Sequence, residues 1–330
     1  MSADRKVAVA SAMLSVAAVT LLAAAPSRAQ SHYPDRAVTL LVPYGAGGVA
    51  DVGMRILSDK LSHRLDAPFV VEDRPGAGGI VAAQAGAAAA PDGYTLLMTG
   101  NNNAIAAALF KSLPYNVLTD FASISTAAFF DVLIVTRAGS PLHTLRDFIG
   151  AARANPGRLN IGTITAGSTQ NLAAELFGSS ANIKTAIVPF RSSPDMAGAV
   201  MRGDVDVAFE FYAAIEGLLA DKKLVALAST GRERTAYLPE VPTVIESGIT
   251  DYEVTSWNGL SLPAGTPGRV IKSLNQAMQD VIPDPEVQNK ARLMGMAMRA
   301  STPNEMTARM TADIGKWGAV IERAGIARRE

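Results

Sequence analysis

The stretch VPYGAGGVAD, Val42 to Asp51, joins an apolar run, Val38 to Val42, to a helical pattern, and it limits the fold more than any other feature of the chain. A strand that passes through a glycine-rich turn into a helix opens a βαβ unit. The turn satisfies Gly-x-Gly-x-x-Ala, the form that cradles a dinucleotide pyrophosphate, and Glu72 and Asp73 follow the next apolar run where a ribose-binding acid is expected. Two readings therefore stand at the outset: a nicotinamide or flavin enzyme, or a binding protein that uses the same helix-end physics for another anion.

Short apolar runs alternate with helical patterns along almost the whole chain, which predicts an α/β fold with largely parallel sheets. Strands are expected at Val38 to Val42, Phe69 to Glu72, Tyr94 to Met98, Asp131 to Thr136, Leu159 to Gly162, Val188 to Arg191, Val205 to Phe209 and Leu224 to Ser229. Met54, Leu57, Leu61 and Leu65 share one helix face. Thr144, Ser168 and Ser193, the last followed by Pro194, read as helix starts, and Thr302-Pro303-Asn304-Glu305 reads as a capping box. The segment between Asn103 and Asp131 reads as irregular. Tyr252 to Trp257 reads as a return crossing between two domains. Met310, Ile314, Trp317 and Ile321 are spaced for packing, and Trp317 is given no functional role.

The N-terminus bounds the setting. Arg5 and Lys6, an apolar stretch from Val7 to Ala25, and Pro26-Ser27-Arg28-Ala29 have the three parts of a signal peptide, with cleavage expected after Ala29. The apolar stretch is close to the ~20 residues of a membrane span, so an uncleaved anchor is the alternative. Once Arg5, Lys6, Arg28 and Asp4 leave, the 30 basic and 30 acidic residues become 27 and 29. A near-neutral exported protein argues against nucleic acid or an anionic membrane as partner. The remaining length exceeds what one core commonly supports, which predicts two domains. No cysteine is present, so disulfides, thiolate metal sites and thiol nucleophiles are excluded. His32, His63 and His143 lie apart with no ligating spacing, and neither a metal nor a cofactor is expected.

Candidate chemistry concentrates in small-residue turns at helix starts: Gly45 to Ala50, Gly76 to Gly79 and Gly162 to Thr169. Such turns offer backbone N–H groups and the positive end of a helix dipole to an anion, and glycine lets the backbone approach closely. Two of them facing each other across a cleft would make a carboxylate site. Ala166-Gly167-Ser168-Thr169-Gln170 fails the nucleophile-elbow pattern, so Ser168 reads as a cap or an anion-binding hydroxyl. Thr99-Gly100-Asn101-Asn102-Asn103 lies at the carboxyl end of a strand, the edge where open α/β sheets bind ligands. Thr99, Asn101 and Asn103 are taken as site candidates, a simple Asn-rich turn being the alternative. Asp51 either caps its helix or points into the cleft.

Along the whole exported chain the ordered motifs YPDRAVTLLVPYGAGGVAD, VVEDRPGAGG, PDGYTLL, LPYNVLTDF, GTITAGSTQNLAAELF, GDVDVAF, LPEVPTVIESG and W-x-GL-x-LPAGTP resemble the substrate-binding proteins of tripartite tricarboxylate transporters, also called the Bug family. The resemblance implies a non-catalytic, monomeric, two-lobed periplasmic binding protein of the Venus flytrap type. It implies that the protein closes on a small carboxylated metabolite and delivers it to integral membrane subunits. The lobes implied are 30–132 with 256–330, and 133–255. Carried onto this sequence, the ligand contacts would be Tyr44, Gly45, Ala46, Gly47, Gly48 and Asp51 on one side and Thr163, Thr165, Ala166, Gly167 and Ser168 on the other. The asparagine cluster, Phe190, Arg191 and the turn after Phe209 would complete the cleft. Three departures bear on the ligand. The first loop has Tyr44-Gly45-Ala46-Gly47-Gly48 where the family has phenylalanine followed by Ala-Pro-Gly-Gly. Asn171 replaces a common histidine, and Glu210-Phe211-Tyr212 follows GDVDVAF. Glu210 could pair with a ligand ammonium or hydroxyl or be a solvated or hinge-facing acid, and Arg191 could clamp a distal carboxylate or lie on the rim.

Overall fold

A computed structural model describes residues 33–46 and 49–330, so the signal segment, Gly47 and Gly48 lie outside the described residues. Among the described residues the compact unit from Arg36 to Glu330 contains ten strands, in the spatial order Phe69–Asp73 (β2), Val38–Val42 (β1), Thr95–Gly100 (β3), Thr255–Pro263 (β9), Phe121–Arg137 (β4), Val207–Phe211 (β7), Asn160–Ile164 (β5) and Ala186–Phe190 (β6), with Leu224–Ser229 (β8) and Ala297–Met298 (β10) both pairing with β4. Strand β4, Phe121–Arg137, organises the whole. Its first part, to Asp131, pairs antiparallel with β9, Thr255–Pro263, and with β10, Ala297–Met298. From Val132 onward it pairs instead with β7, Val207–Phe211, and β8, Leu224–Ser229. One strand thus belongs to two sheets and changes partners between Asp131 and Val132.

Parallel pairing surrounds this antiparallel centre. On one side β1, Val38–Val42, lies between β2, Phe69–Asp73, and β3, Thr95–Gly100; on the other β5, Asn160–Ile164, lies between β6, Ala186–Phe190, and β7. The sheets are therefore mixed, because the connections that cross between them run antiparallel while each βαβ unit is parallel.

Helices follow the strands as their spacing dictates. Helix α1, Val49–Leu65, buries Met54, Leu57, Leu61 and Leu65. Helix α2 is Ile80–Ala87, and α3 is Asn101–Leu109. Thr144 caps α4, Leu145–Ala154, by accepting from the Asp147 amide; Ser168 caps α5, Thr169–Ser180, by accepting from the Asn171 amide. Helix α6 is Ser193–Arg202, capped by Ser192 rather than the expected Ser193, with Pro194 in its first turn. After α7, Tyr212–Ala220, and α8, Gly268–Val281, come α9, Pro285–Leu293, and α10, Pro303–Arg323, which opens on the expected Thr302–Glu305 box.

The segment expected to be irregular between Asn103 and Asp131 is irregular only over 110–120; α3 runs to Leu109 before it and the first half of β4 follows it. Nearly every side of α3 is buried, so its sequence carries no amphipathic contrast. In β4 the buried Ser125 and Thr126 break the apolar alternation that marks a strand; Thr126 Oγ1 donates to the Arg299 carbonyl. Strand β7 begins at Val207, two residues later than expected, because the Asp206 carboxylate accepts from the Asn160 amide and its carbonyl accepts from Thr136 Oγ1. One apolar core includes Phe177, Phe209, Tyr252, Trp257 and Trp317 and so joins helices flanking both sheets. Burying side chains of this size contributes about 1.5–3 kcal/mol each.

Candidate functional site

The first loop leaves β1 at Val42 with Pro43 buried and Tyr44, Gly45 and Ala46 exposed; Gly47 and Gly48 lie outside the described residues. A methyl group added at Gly45 would meet nothing within 4 Å. Asp51, only 2% exposed in the first turn of α1, has its Oδ1 2.7 Å from Arg55 Nε, and Arg55 also donates to Asp73 Oδ2 at 2.8 Å. This chain of charges ties the end of β2 to the start of α1. Burial, and then the nearby Asp51 charge, raise the Asp73 carboxyl above its usual range against the pull of Arg55. Glu72 is engaged by Arg74 at 2.5 Å. Both acids that a ribose would need are thus held by arginines.

The second glycine-rich turn packs directly on this region. Gly79 has φ 99°, and a Cβ there would lie 2.7 Å from Asn102 Nδ2 and 3.2 Å from Pro43 Cβ, so only glycine lets three segments meet. At the carboxyl end of β3 the backbone is equally close-packed: a Cβ on Gly100 would sit 2.2 Å from the Trp257 carbonyl oxygen.

The three asparagines that begin α3 point in three directions, as residues about 100° apart on a helix must. Asn101 Oδ1 accepts from Trp317 Nε1 at 2.7 Å, and its Nδ2 donates to Thr169 Oγ1 at 2.9 Å. Asn103 Oδ1 accepts from the Gly100 amide at 3.0 Å, with Tyr115 Oη 3.4 Å from its Nδ2. Thr99 Oγ1 bonds Ser261 Oγ at 2.7 Å. These three site candidates spend their polar atoms on the protein itself. Asn102 does not: its Oδ1 and Nδ2 are both buried and neither has a partner. The sequence reading passed over this residue, whose distinguishing mark is only its angular place in the first turn.

The second loop is built more tightly. The Thr165 amide donates to the Phe190 carbonyl, the Ser168 amide to the Thr165 carbonyl, and the Gly167 amide to Asn171 Oδ1, each at 2.9 Å. Ser168 Oγ donates to the Ile164 carbonyl, while buried Thr163 Oγ1 lies 3.4 Å from Asn171 Nδ2. Arg329 Nη2 donates to the Ala166 carbonyl at 2.6 Å. Gly167 takes φ 81°, and a Cβ there would be 2.7 Å from Leu109 Cδ2 of α3. Loop 162–169 therefore lies against α3, and the Asn101–Thr169 bond brings the N-termini of α3 and α5 together. First-turn amides of a helix have no intrahelical acceptor, and those of Thr169 and Gln170 hold this position in α5.

Around this junction Phe190 is half-buried, and Arg191 is exposed with no acid paired to it among the described residues. Glu210 is 1% exposed in β7; its Oε1 accepts from Gln170 Nε2 and from the Phe211 amide, each at 2.8 Å, and its Oε2 has no partner. A separate groove of about 1110 Å³ runs past Phe129, Asp131, Tyr237, Arg299 and Arg309, and no residue predicted for the site lines it. There Asp131 accepts from Thr255 Oγ1 at 2.7 Å and packs against Gly231, and burial pushes its carboxyl up to about 6.

A family model described as "Tripartite tricarboxylate transporter family receptor" matches residues 54–326. The chain belongs to this receptor family. Its backbone is similar to that of an R. palustris protein solved with adipate, at 30% identity and a TM-score of 0.78, over 89% of this chain and 99% of that one. It is also similar to MatC from Rhodopseudomonas palustris with bound malate, at 28% identity and a TM-score of 0.73, over 88% and 100% of the two chains. The periplasmic binding protein BugD gives 25% identity and a TM-score of 0.75, over 90% and 100%. The α/β architecture with mixed sheets is that of these periplasmic binding proteins. Among the described residues no helix is long and apolar enough to cross a membrane.

Proposed function

We propose that this chain is an exported, periplasmic, non-catalytic receptor that captures a small organic acid and delivers it to the membrane subunits of a tripartite tricarboxylate transporter. The ligand is held by Tyr44 to Gly48 and Asn102 on one side and by Thr163 to Gln170 on the other, with Phe190, Arg191 and Glu210 around it. Asp51 acts indirectly, through Arg55, by fixing the first turn of α1. The two lobes are 30–132 with 256–330, and 133–255, and they move about the two crossings at Asp131–Val132 and Thr255–Trp257.

The observation that carries this reading is the junction at Asn101–Thr169, where two helix N-termini meet beside an unpartnered asparagine and a glycine-lined loop. A ligand drives closure only through contacts that exist in the closed form and not in the open one, and an anion divided between two such segments supplies them. Relatives solved with adipate and with malate support the choice of a carboxylate. The engagement of Asp73 and Glu72 by arginines weighs against a dinucleotide enzyme.

The test is a thermal-shift panel of small mono-, di- and tricarboxylates, aromatic acids and acidic amino acids on the purified exported chain. A specific ligand at a hundredfold excess over Kd stabilises by about 2.7 kcal/mol, which raises Tm by about 4 °C in a chain of this length. A panel with no shift rejects the reading.

A further inference from the structure

We propose that the ligand of this site carries, besides its carboxylate, a hydrogen-bond-donating ammonium or hydroxyl group that Glu210 receives; the inference rests on the receptor reading above. Strand β7 sends Val207 and Phe209 into the core around Phe177, and Ala208 into the separate cluster that includes Met196 and Val200. Glu210 follows Ala208 on that second face, opposite Leu133 of β4, just below the partner change at Asp131–Val132. An aliphatic residue would suit such a position. Instead the chain places there a desolvated carboxylate, and no cation among the described residues pairs with it.

An ionised carboxylate has about four acceptor sites. Glu210 uses two, both on Oε1, and leaves Oε2 buried with nothing to accept. The donor at Oε1 is Gln170, the second residue of α5, which places the carboxylate under the helix start that meets Asn101. The positive end of α5 offsets part of the charge but supplies no donor to Oε2. A buried acid left without a counter-charge or its full hydrogen bonds is costly, and the cost is recovered if a ligand brings the missing donor. The same carboxylate repels a ligand whose second function is another carboxylate placed against it. The ligand's own carboxylate then belongs to the amides of Thr169 and Gln170 and to Asn102, and its donor group to Glu210.

Matched sets of acids test this without assuming a chain length. Calorimetric titration compares succinate, malate and aspartate; glutarate, 2-hydroxyglutarate and glutamate; and adipate, 2-hydroxyadipate and 2-aminoadipate. Within the set that binds, the donor-bearing acid is expected to bind about tenfold or more tightly than its unsubstituted parent, and the hydroxy and amino arms tell the two donors apart. Glu210→Gln should reduce that preference at least severalfold. Parents that bind as tightly as their substituted partners overturn the inference and leave the receptor reading standing. A preference that survives Glu210→Gln unchanged also overturns it. Absence of binding by these sets and by the wider panel rejects both. The wild-type comparison decides the matter even if the variant folds poorly.

Discussion

The two ligand loops differ in how far the protein has already fixed them. In 162–169 the amides of Thr165, Gly167 and Ser168 and the carbonyls of Ile164 and Ala166 are engaged, and Gly167 is wedged against Leu109. In the first loop Tyr44, Gly45 and Ala46 are exposed and Gly45 has open space around it. One side of the proposed site is thus held in place by the protein's own hydrogen bonds, while the described part of the other is exposed. Preorganisation saves the ordering cost at binding, and an adaptable side permits entry.

Substitutions can break or sharpen the contrast. The largest effect is expected for Gly167→Ala, which needs a left-handed conformation and displaces Leu109: a loss of about 1–3 kcal/mol in chemical denaturation. Gly45→Ala should stay within about 0.5 kcal/mol of wild type. Equal losses at the two positions would remove the contrast. Asn101→Ala, which leaves Trp317 Nε1 without its acceptor, should cost about 1–3 kcal/mol. Asn102→Ala should cost no stability yet weaken the ligand about tenfold in calorimetry.

The crossing that joins the two halves has its own pH signature. Asp131 titrates near 6 in the folded chain, against about 3.9 in the unfolded one, because burial outweighs the help of Thr255, Arg299 and Arg309. Its folded form holds the proton more tightly, so its contribution is full below pH ~4 and is lost as pH rises through 6. Asp131→Asn should therefore stabilise by about 1–2 kcal/mol at pH 7.5, with the gain vanishing near pH 4. Denaturation curves at the two pH values check this. Arg329→Ala, whose exposed guanidinium donates to the Ala166 carbonyl, is also expected to have a small effect: a change of about 0.5 kcal/mol or less in stability and a twofold to fivefold weaker ligand.

Much of this arrangement was legible in the sequence because local chemistry dictates it. Thr144, Ser168 and Thr302 cap helices where their spacing predicts, and the α1 face closes on the sheet through Met54, Leu57, Leu61 and Leu65. What stayed hidden depends on distant partners. Asn101 reads like Asn102 until Trp317, on the last helix, and Thr169 claim it; Trp317 itself, given no role, orients that asparagine. Strand β4 reads as two unlike segments because the half bearing Ser125 and Thr126 satisfies its hydroxyls through partners that include Ser301 and Arg299. The expected ambiguity at Asp51 resolves toward structure, since Arg55 is one turn further along the same helix. Glu210 turns out to be buried rather than solvated, which no strand pattern could indicate.

The central claim is that an anion sits between the start of α5 and the loop after β1. A crystal structure with the tightest acid from the panel tests it most directly. The account predicts a carboxylate within hydrogen-bonding distance of the Thr169 and Gln170 amides and of Asn102. A ligand seated instead in the arginine-lined groove beside Asp131, with those amides and Asn102 unchanged, would contradict it.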